Sequence, residues 1–149
     1  MEIIELIKLI KSKYKSEKVY KKEYFSKIIY FIEWKYELLY EKPLLKNINY
    51  CIGNSGIEFY NENGKIDIYE LMLKTTKSYK IDKTIDSTEL NKIEKIIDFV
   101  LEKLYRLKYN EFVNLYFSTY PFFVNEKYEE INLLENVKEY KIYLKNNKI

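Results

Sequence analysis

The chain has 149 residues, 47% of them hydrophobic and 17% aromatic, with a formal net charge of +3. That much apolar sequence excludes a disordered chain, and the length suits a single domain with a sizeable core. There is no His, and Cys51 is the only cysteine, so Ser-His-Asp and Cys-His nucleophiles, an internal disulfide and a His/Cys zinc cluster are all excluded.

The composition has further holes. Ala and Gln are absent, and Arg106 is the only arginine among 26 basic residues. Ile, Lys, Asn and Tyr dominate instead. Their codons are rich in A and T, which points to an AT-rich bacterial genome or its phage. Glycines at 53, 56 and 64 form neither a dinucleotide-binding fingerprint nor a P-loop. The opening MEIIELIKLIK carries acids among its apolar residues and lacks a signal-peptide cleavage pattern, and no apolar run is long enough for a membrane span. The expectation is a reduced, cytoplasmic protein.

In chain order, Ile3, Ile4, Leu6, Ile7 and Ile10 recur at helical spacing. A lysine-rich stretch follows: Lys11, Lys13, Lys15, Lys18, Lys21 and Lys22, with Tyr14, Tyr20 and Tyr24 interleaved. Such a patch suits phosphate or an acidic partner; the plainer reading is a solvated connection between helices. The scarcity of Arg argues against sequence-specific DNA recognition. Next comes the strongest helical segment. Phe25, Ile28, Ile29, Ile32, Tyr36 and Leu39 make one stripe, widened by Tyr24, Phe31, Trp34 and Leu38 to most of the circumference. A helix apolar nearly all round is central, and Pro43 marks where it has already ended. Glu33 and Glu37 lie one turn apart on it. They read either as an acid–base pair or, more simply, as a polar edge neutralised by Lys27 and Lys35.

The period then changes. Residues 47–52 alternate, Gly53-Asn54-Ser55-Gly56 is a turn cluster, 57–60 form a second run, and Asn61-Glu62-Asn63-Gly64 is a second turn before KIDIYELML. This is a hairpin pattern. Cys51 within it reads as a small buried hydrophobe. Residues 71–84 are ambiguous between strand and loop. Asp86 and Glu89 are spaced as a capping box for a helix whose stripe is Ile93, Ile96, Ile97, Val100, Leu101 and Leu104. Asn110 is a candidate cap for a short helix carrying Phe112, Val113 and Tyr116. An aromatic loop, Tyr120-Pro121-Phe122-Phe123, interrupts it, with Pro121 keeping Tyr120 extended. A last helix starts at about Tyr128. The expected architecture is mainly α, five to six helices around a central apolar one, with a small β meander inserted, in one domain.

Several of these segments also resemble a family. Phe25-Ser26-Lys27-Ile28-Ile29-Tyr30-Phe31 followed by Leu39-Tyr40-Glu41-Lys42-Pro43-Leu44 is similar to the opening of the Panacea domain, the SocA-like and phage-associated GepA-like group. Gly53-Asn54 stands at its Gly-Pro step, Ile96 to Leu101 at its second helix, and Tyr116 to Phe122 at its Thr-His-x-x-x-Pro-Trp-like corner. Asn54, Phe117 and Phe122 replace the family's proline, histidine and tryptophan. The order holds over about residues 20–145. The resemblance implies a mostly helical, non-enzymatic protein that neutralises a partner by direct binding, as antitoxins do. It sets a short segment rather than a hairpin at 53–69, so that region is open between the two.

Candidate partner-binding residues are Lys27, Tyr30, Trp34, Gly53, Asn54, Tyr120, Pro121 and Phe122. No catalytic residue, metal ligand or cofactor is expected. The partner is a toxin or a defence effector; a phage-encoded, anti-CRISPR-like inhibitor of a host nuclease and a Lys-rich nucleic-acid-binding module are the alternatives. A homodimer is compatible with the sequence.

Overall fold

One helix is apolar almost all the way round, and the other elements are laid on it. The computed structural model describes residues 1–75 and 85–147. In chain order these are α1 (Ile3–Lys13), α2 (Lys22–Tyr40), β1 (Asn49–Gly53), β2 (Gly56–Asn61), β3 (Gly64–Ile66), α3 (Ile68–Lys74), α4 (Ser87–Arg106), α5 (Tyr109–Phe117), α6 (Pro121–Val124), β4 (Glu130–Ile131) and α7 (Leu133–Asn146). The fold is mainly α with a small antiparallel sheet, as the periodicities require. Helix α2 is the central element, touching α3, α4 and α7. Its Phe25, Ile28, Ile29, Tyr30 and Ile32 are fully buried. It stops at Glu41, which takes a left-handed conformation two residues before Pro43.

The predicted stripe of α4 is buried residue for residue. Its capping differs from the expected box. Asp86 accepts the Thr88 N–H at 3.1 Å, while Glu89 turns away to accept a hydrogen bond from the buried Tyr36 hydroxyl. Asn110 likewise is not the cap of α5. It sits inside the first turn, and Glu111 reaches back to the Lys108 N–H at 2.9 Å.

The sheet has the order β3-β2-β1-β4. β1 and β2 pair from Asn49↔Tyr60 to Gly53↔Gly56, so residues 53–66 form hairpins, which settles that region. The strand pattern ends at Ile66. Asp67 accepts the Glu70 N–H at 3.0 Å and starts α3, with Ile68 and Met72 buried one turn apart. Residues 71–74, ambiguous in sequence, are therefore helical; 76–84 lie outside the described residues.

Two expectations near the C-terminal end are corrected. The last helix starts at Leu133, not at Tyr128. β1 offers an open edge, Tyr128 (φ 69°) turns the chain and donates its N–H to Ile52 O at 2.8 Å, and Glu130–Ile131 then pairs with Cys51 and Tyr50. Asn132 caps α7 by accepting the Glu135 N–H. Residues 120–123 are not an extended loop either. Tyr120 is helical (φ −52°, ψ −41°) and Pro121 opens the one-turn helix α6, a position where its missing N–H costs nothing.

Gly56 shows how tightly the sheet meets the helices. Its φ is +129°, and a Cβ there would lie 2.6 Å from the Tyr116 hydroxyl. Gly56→Ala is therefore expected to lower stability by about 2–3 kcal/mol. Chemical denaturation checks this, with a reduced midpoint at unchanged slope as the expected result.

Candidate functional site

The sequence-predicted residues fall into three places. Lys27 and Asn54 share a cleft of about 630 Å³ with Lys22, Ser55, Lys65, Tyr69 and Tyr116, where α2, the β1–β2 turn, β3, α3 and α5 converge. Lys27 is half-buried, with its ammonium 5.3 Å from the centre of the Tyr116 ring. Burial lowers its pKa. The acids at the rim are already committed: Asp67 caps α3, and Glu58 accepts from Tyr60 (2.6 Å) and pairs with Lys65 (3.3 Å). Those hydrogen bonds, Tyr60 first, hold the Glu58 carboxyl below its usual range. Lys22 and Lys27 are thus the cations this cleft can offer to an acidic group. Asn54 is at the exposed turn tip, where it accepts a hydrogen bond from Tyr128. Gly53 is buried, and a Cβ on it would overlap the Glu58 side chain.

Tyr30, Pro121 and Phe122 belong to a second place, an aromatic wedge. Tyr30 is fully buried and its hydroxyl meets Thr119 Oγ1 at 2.7 Å. Its ring packs on Tyr116 (5.3 Å) and Phe122 (6.1 Å), and Phe122 packs in turn on Tyr116 and Phe117 (both 5.0 Å). Phe122 therefore points inward. The side chain that α6 leaves in solvent is Phe123, 73% exposed, with Val124 and Phe117 also exposed at the same corner. Phe123, in the predicted aromatic loop but not among the partner-binding candidates, is exposed where Phe122 is not, because in a one-turn helix adjacent residues point in different directions.

Trp34 and Tyr120 occupy the third place, where α7 docks. Trp34 is 6% exposed and lies against Tyr140 (6.0 Å), and Tyr120 packs against Tyr140 (5.3 Å) and Tyr143 (6.2 Å). They join α2, α6 and α7 and leave little surface for another molecule.

The lysine patch is largely used internally. Lys11 donates to Met72 O (2.7 Å) and Thr75 O (2.6 Å) at the end of α3, and Lys18 donates to Leu104 O (3.2 Å) and Leu107 O (3.1 Å) at the end of α4. Cations there complete the free carbonyls of each helix end. Lys13 pairs with Glu94 (3.2 Å) and Asp98 (3.5 Å). Lys15, Lys21 and Lys22 remain on the surface.

Glu33 and Glu37 are not a solvated polar edge. Both are buried, at 0% and 2% exposure, and neither pairs with a lysine among the described residues: Lys27 lies over Tyr116 and Lys35 over Phe99. Glu33 accepts three hydrogen bonds, from Leu44 N–H (2.8 Å), Leu45 N–H (3.1 Å) and the Tyr50 hydroxyl (2.7 Å). Burial raises its pKa, and these donors pull it back. Glu37 has no such donors; burial, then the neighbouring Glu33 charge, push it up to about 9. Glu37 therefore holds a proton at neutral pH. The signal for this was in the sequence, since a helix apolar all round has no solvent face on which to place two glutamates. Cys51 is half-buried, and burial raises its thiol pKa, which disfavours a reactive thiolate. No group of three or more metal-ligating side chains occurs among the described residues, and no helix there is long and apolar enough to cross a membrane.

No protein-family model matches this chain, and no curated protein or solved structure is significantly similar to it.

Replacing Glu33 by Leu would strand two backbone N–H groups and the Tyr50 hydroxyl, and is expected to cost about 3 kcal/mol or more in denaturant-unfolding experiments. Glu37 makes stability depend on pH. The folded chain keeps a proton that the unfolded chain loses above its ordinary carboxyl pKa, so stability falls as pH rises toward about 9. Glu37→Gln should flatten that slope between pH 5 and 9, by about one proton, measured as denaturation free energy against pH.

Proposed function

We propose that this chain is a non-enzymatic protein-binding inhibitor, an antitoxin-like protein that occupies a partner protein directly. The observation that carries this reading is the corner made by α5 and α6. Phe123 is 73% exposed, with Phe117 and Val124 exposed beside it, on a helical turn anchored by the interlocked rings of Tyr116, Phe117 and Phe122. A large aromatic held in solvent on a rigid support is the kind of anchor that dominates protein–protein contacts, because little conformational entropy is lost when it is covered. The Lys22–Lys27 cleft supplies a complementary cationic surface for an acidic partner. The engagement of Lys11, Lys13 and Lys18 within the fold removes half of the patch on which a nucleic-acid reading would rest. Inhibition of a toxin and inhibition of a host defence nuclease are the same physical act, and the partner's identity separates them.

A tagged pull-down from an AT-rich bacterial host, with nuclease treatment, tests the proposal. One stoichiometric protein is expected with the natural chain. Phe123→Asp should weaken its capture by about 30-fold or more, the size of an interface anchor, while Lys15→Glu with Lys21→Glu should retain it. Recovery of nucleic acid alone, lost at high salt, would overturn the reading.

A further inference from the structure

A second cleft, of about 470 Å³, opens between the end of α2, β1 and the β4–α7 junction. Glu37 lines it. This carboxyl is 2% exposed, yet it has no hydrogen-bond or ion-pair partner among the described residues, whereas Glu33 one turn away has three. Among the described residues only Glu5 Oε2 is sealed in without a partner, so the Glu37 oxygens keep contact with the cleft and present an uncommitted acceptor to whatever enters it. The walls combine an aliphatic side, Leu45, Ile48, Ile131 and Leu133, with the polar Asn49 and Asn132, and Glu130 adds a second carboxylate.

We infer that this cleft binds an organic cation, an alkyl stem ending in an ammonium or guanidinium group, with the head on Glu37 and the stem along the aliphatic walls. The chemistry of the site selects this class. An anion would meet the Glu130 carboxylate, with no cation lining the cleft to offset it. A hard metal ion would need several oxygen ligands, and both oxygens of Glu33 are committed to donors. An alkylammonium needs only one or two acceptors and gains from every methylene it buries. The cleft volume is within the range of small-ligand sites.

Binding has a proton balance. The titratable groups facing Glu37 are Glu33 and Tyr30 on its own helix, Tyr50 on β1 and Glu130 on β4; the cleft residues from α7 are uncharged. Glu37 holds a proton in the free protein at pH 7. Forming an N–H⁺···⁻O bond to the ligand expels that proton to solvent, while the ligand keeps its own charge. The ligand cation is thus exchanged for a proton.

Titration calorimetry of the full chain with n-butylamine hydrochloride at pH 7, in two buffers of different ionisation enthalpy, tests this. Saturable binding is expected, with about one proton released per cation bound. Glu37→Gln should fold, bind at least about tenfold more weakly and release no proton. n-Butanol, of the same length without the charge, should not compete. Amide shifts at Leu44 and Leu45 locate the binding independently of the heat. Competition by Nα-acetyl-lysine N-methylamide at equal affinity would assign the head group to a basic side chain on a partner protein, and its exclusion would assign it to a free amine. No binding to the folded natural chain, equal binding of n-butanol, or undiminished binding by Glu37→Gln would each overturn the inference. The cleft is distinct from the Phe123 corner, so that failure would leave the inhibitor reading standing.

Discussion

The buried carboxylate of Glu33 organises the turn on which the fold depends. It gathers the Leu44 and Leu45 N–H groups and the Tyr50 hydroxyl, three donors 11, 12 and 17 residues further along the chain. The chain leaving α2 is thereby folded back against it, and β1 is laid along the helix that precedes it. A carboxylate taken wholly out of water is tolerable only when its lone pairs are filled, so the three donors act as a unit and none is dispensable. The same constraint explains Glu37. Buried without donors, and beside Glu33, its neighbour one turn on is driven to the protonated form, and a cleft is left with an uncommitted carboxyl in its wall.

Tyrosine carries much of the remaining polar connection. With no His or Gln and a single Arg, the chain uses phenol hydroxyls to tie elements together: Tyr30 to Thr119, Tyr36 to Glu89, Tyr14 to Asp98, and Tyr116 as the acceptor for the Ile57 N–H. Each of these side chains has an apolar body to fill the core and one polar tip to satisfy a partner. Tyr116 shows the consequence. Its ring lies in the wedge with Tyr30, Phe31, Phe117 and Phe122 while its hydroxyl reaches the sheet, so helices and sheet are fixed by one residue, and Gly56 must be small to admit it. The exposed Phe123 stands on this support.

The lysine-rich stretch shows how composition misleads about surface. In sequence, residues 11–22 look like one basic patch. In space, Lys11 and Lys18 reach 61 to 89 residues along the chain to complete the ends of α3 and α4, and Lys13 is paired across to α4. Long flexible side chains can lay their stems on apolar surface and place their charge at a helix end, where free carbonyls and the helix dipole favour it. Which lysines do so depends on which helix ends arrive nearby.

Elements whose pattern is local and long were legible in the order of residues alone. The stripe from Ile93 to Leu104 and the all-round apolar character of residues 24–38 need only helical periodicity and burial, and the turns at Gly53–Gly56 and Asn61–Gly64 need only glycine beside polar turn residues. The tertiary structure decided what depends on a neighbour. Glu130–Ile131 is a strand because β1 has an edge to fill, and Tyr120 is helical because Phe122 is drawn into the wedge. Glu33 is filled with hydrogen bonds and Glu37 is left protonated because the donors of the following turn reach one and not the other. Two residues of the same type, one turn apart, are equivalent in sequence; only the three-dimensional distribution of donors and water makes them different.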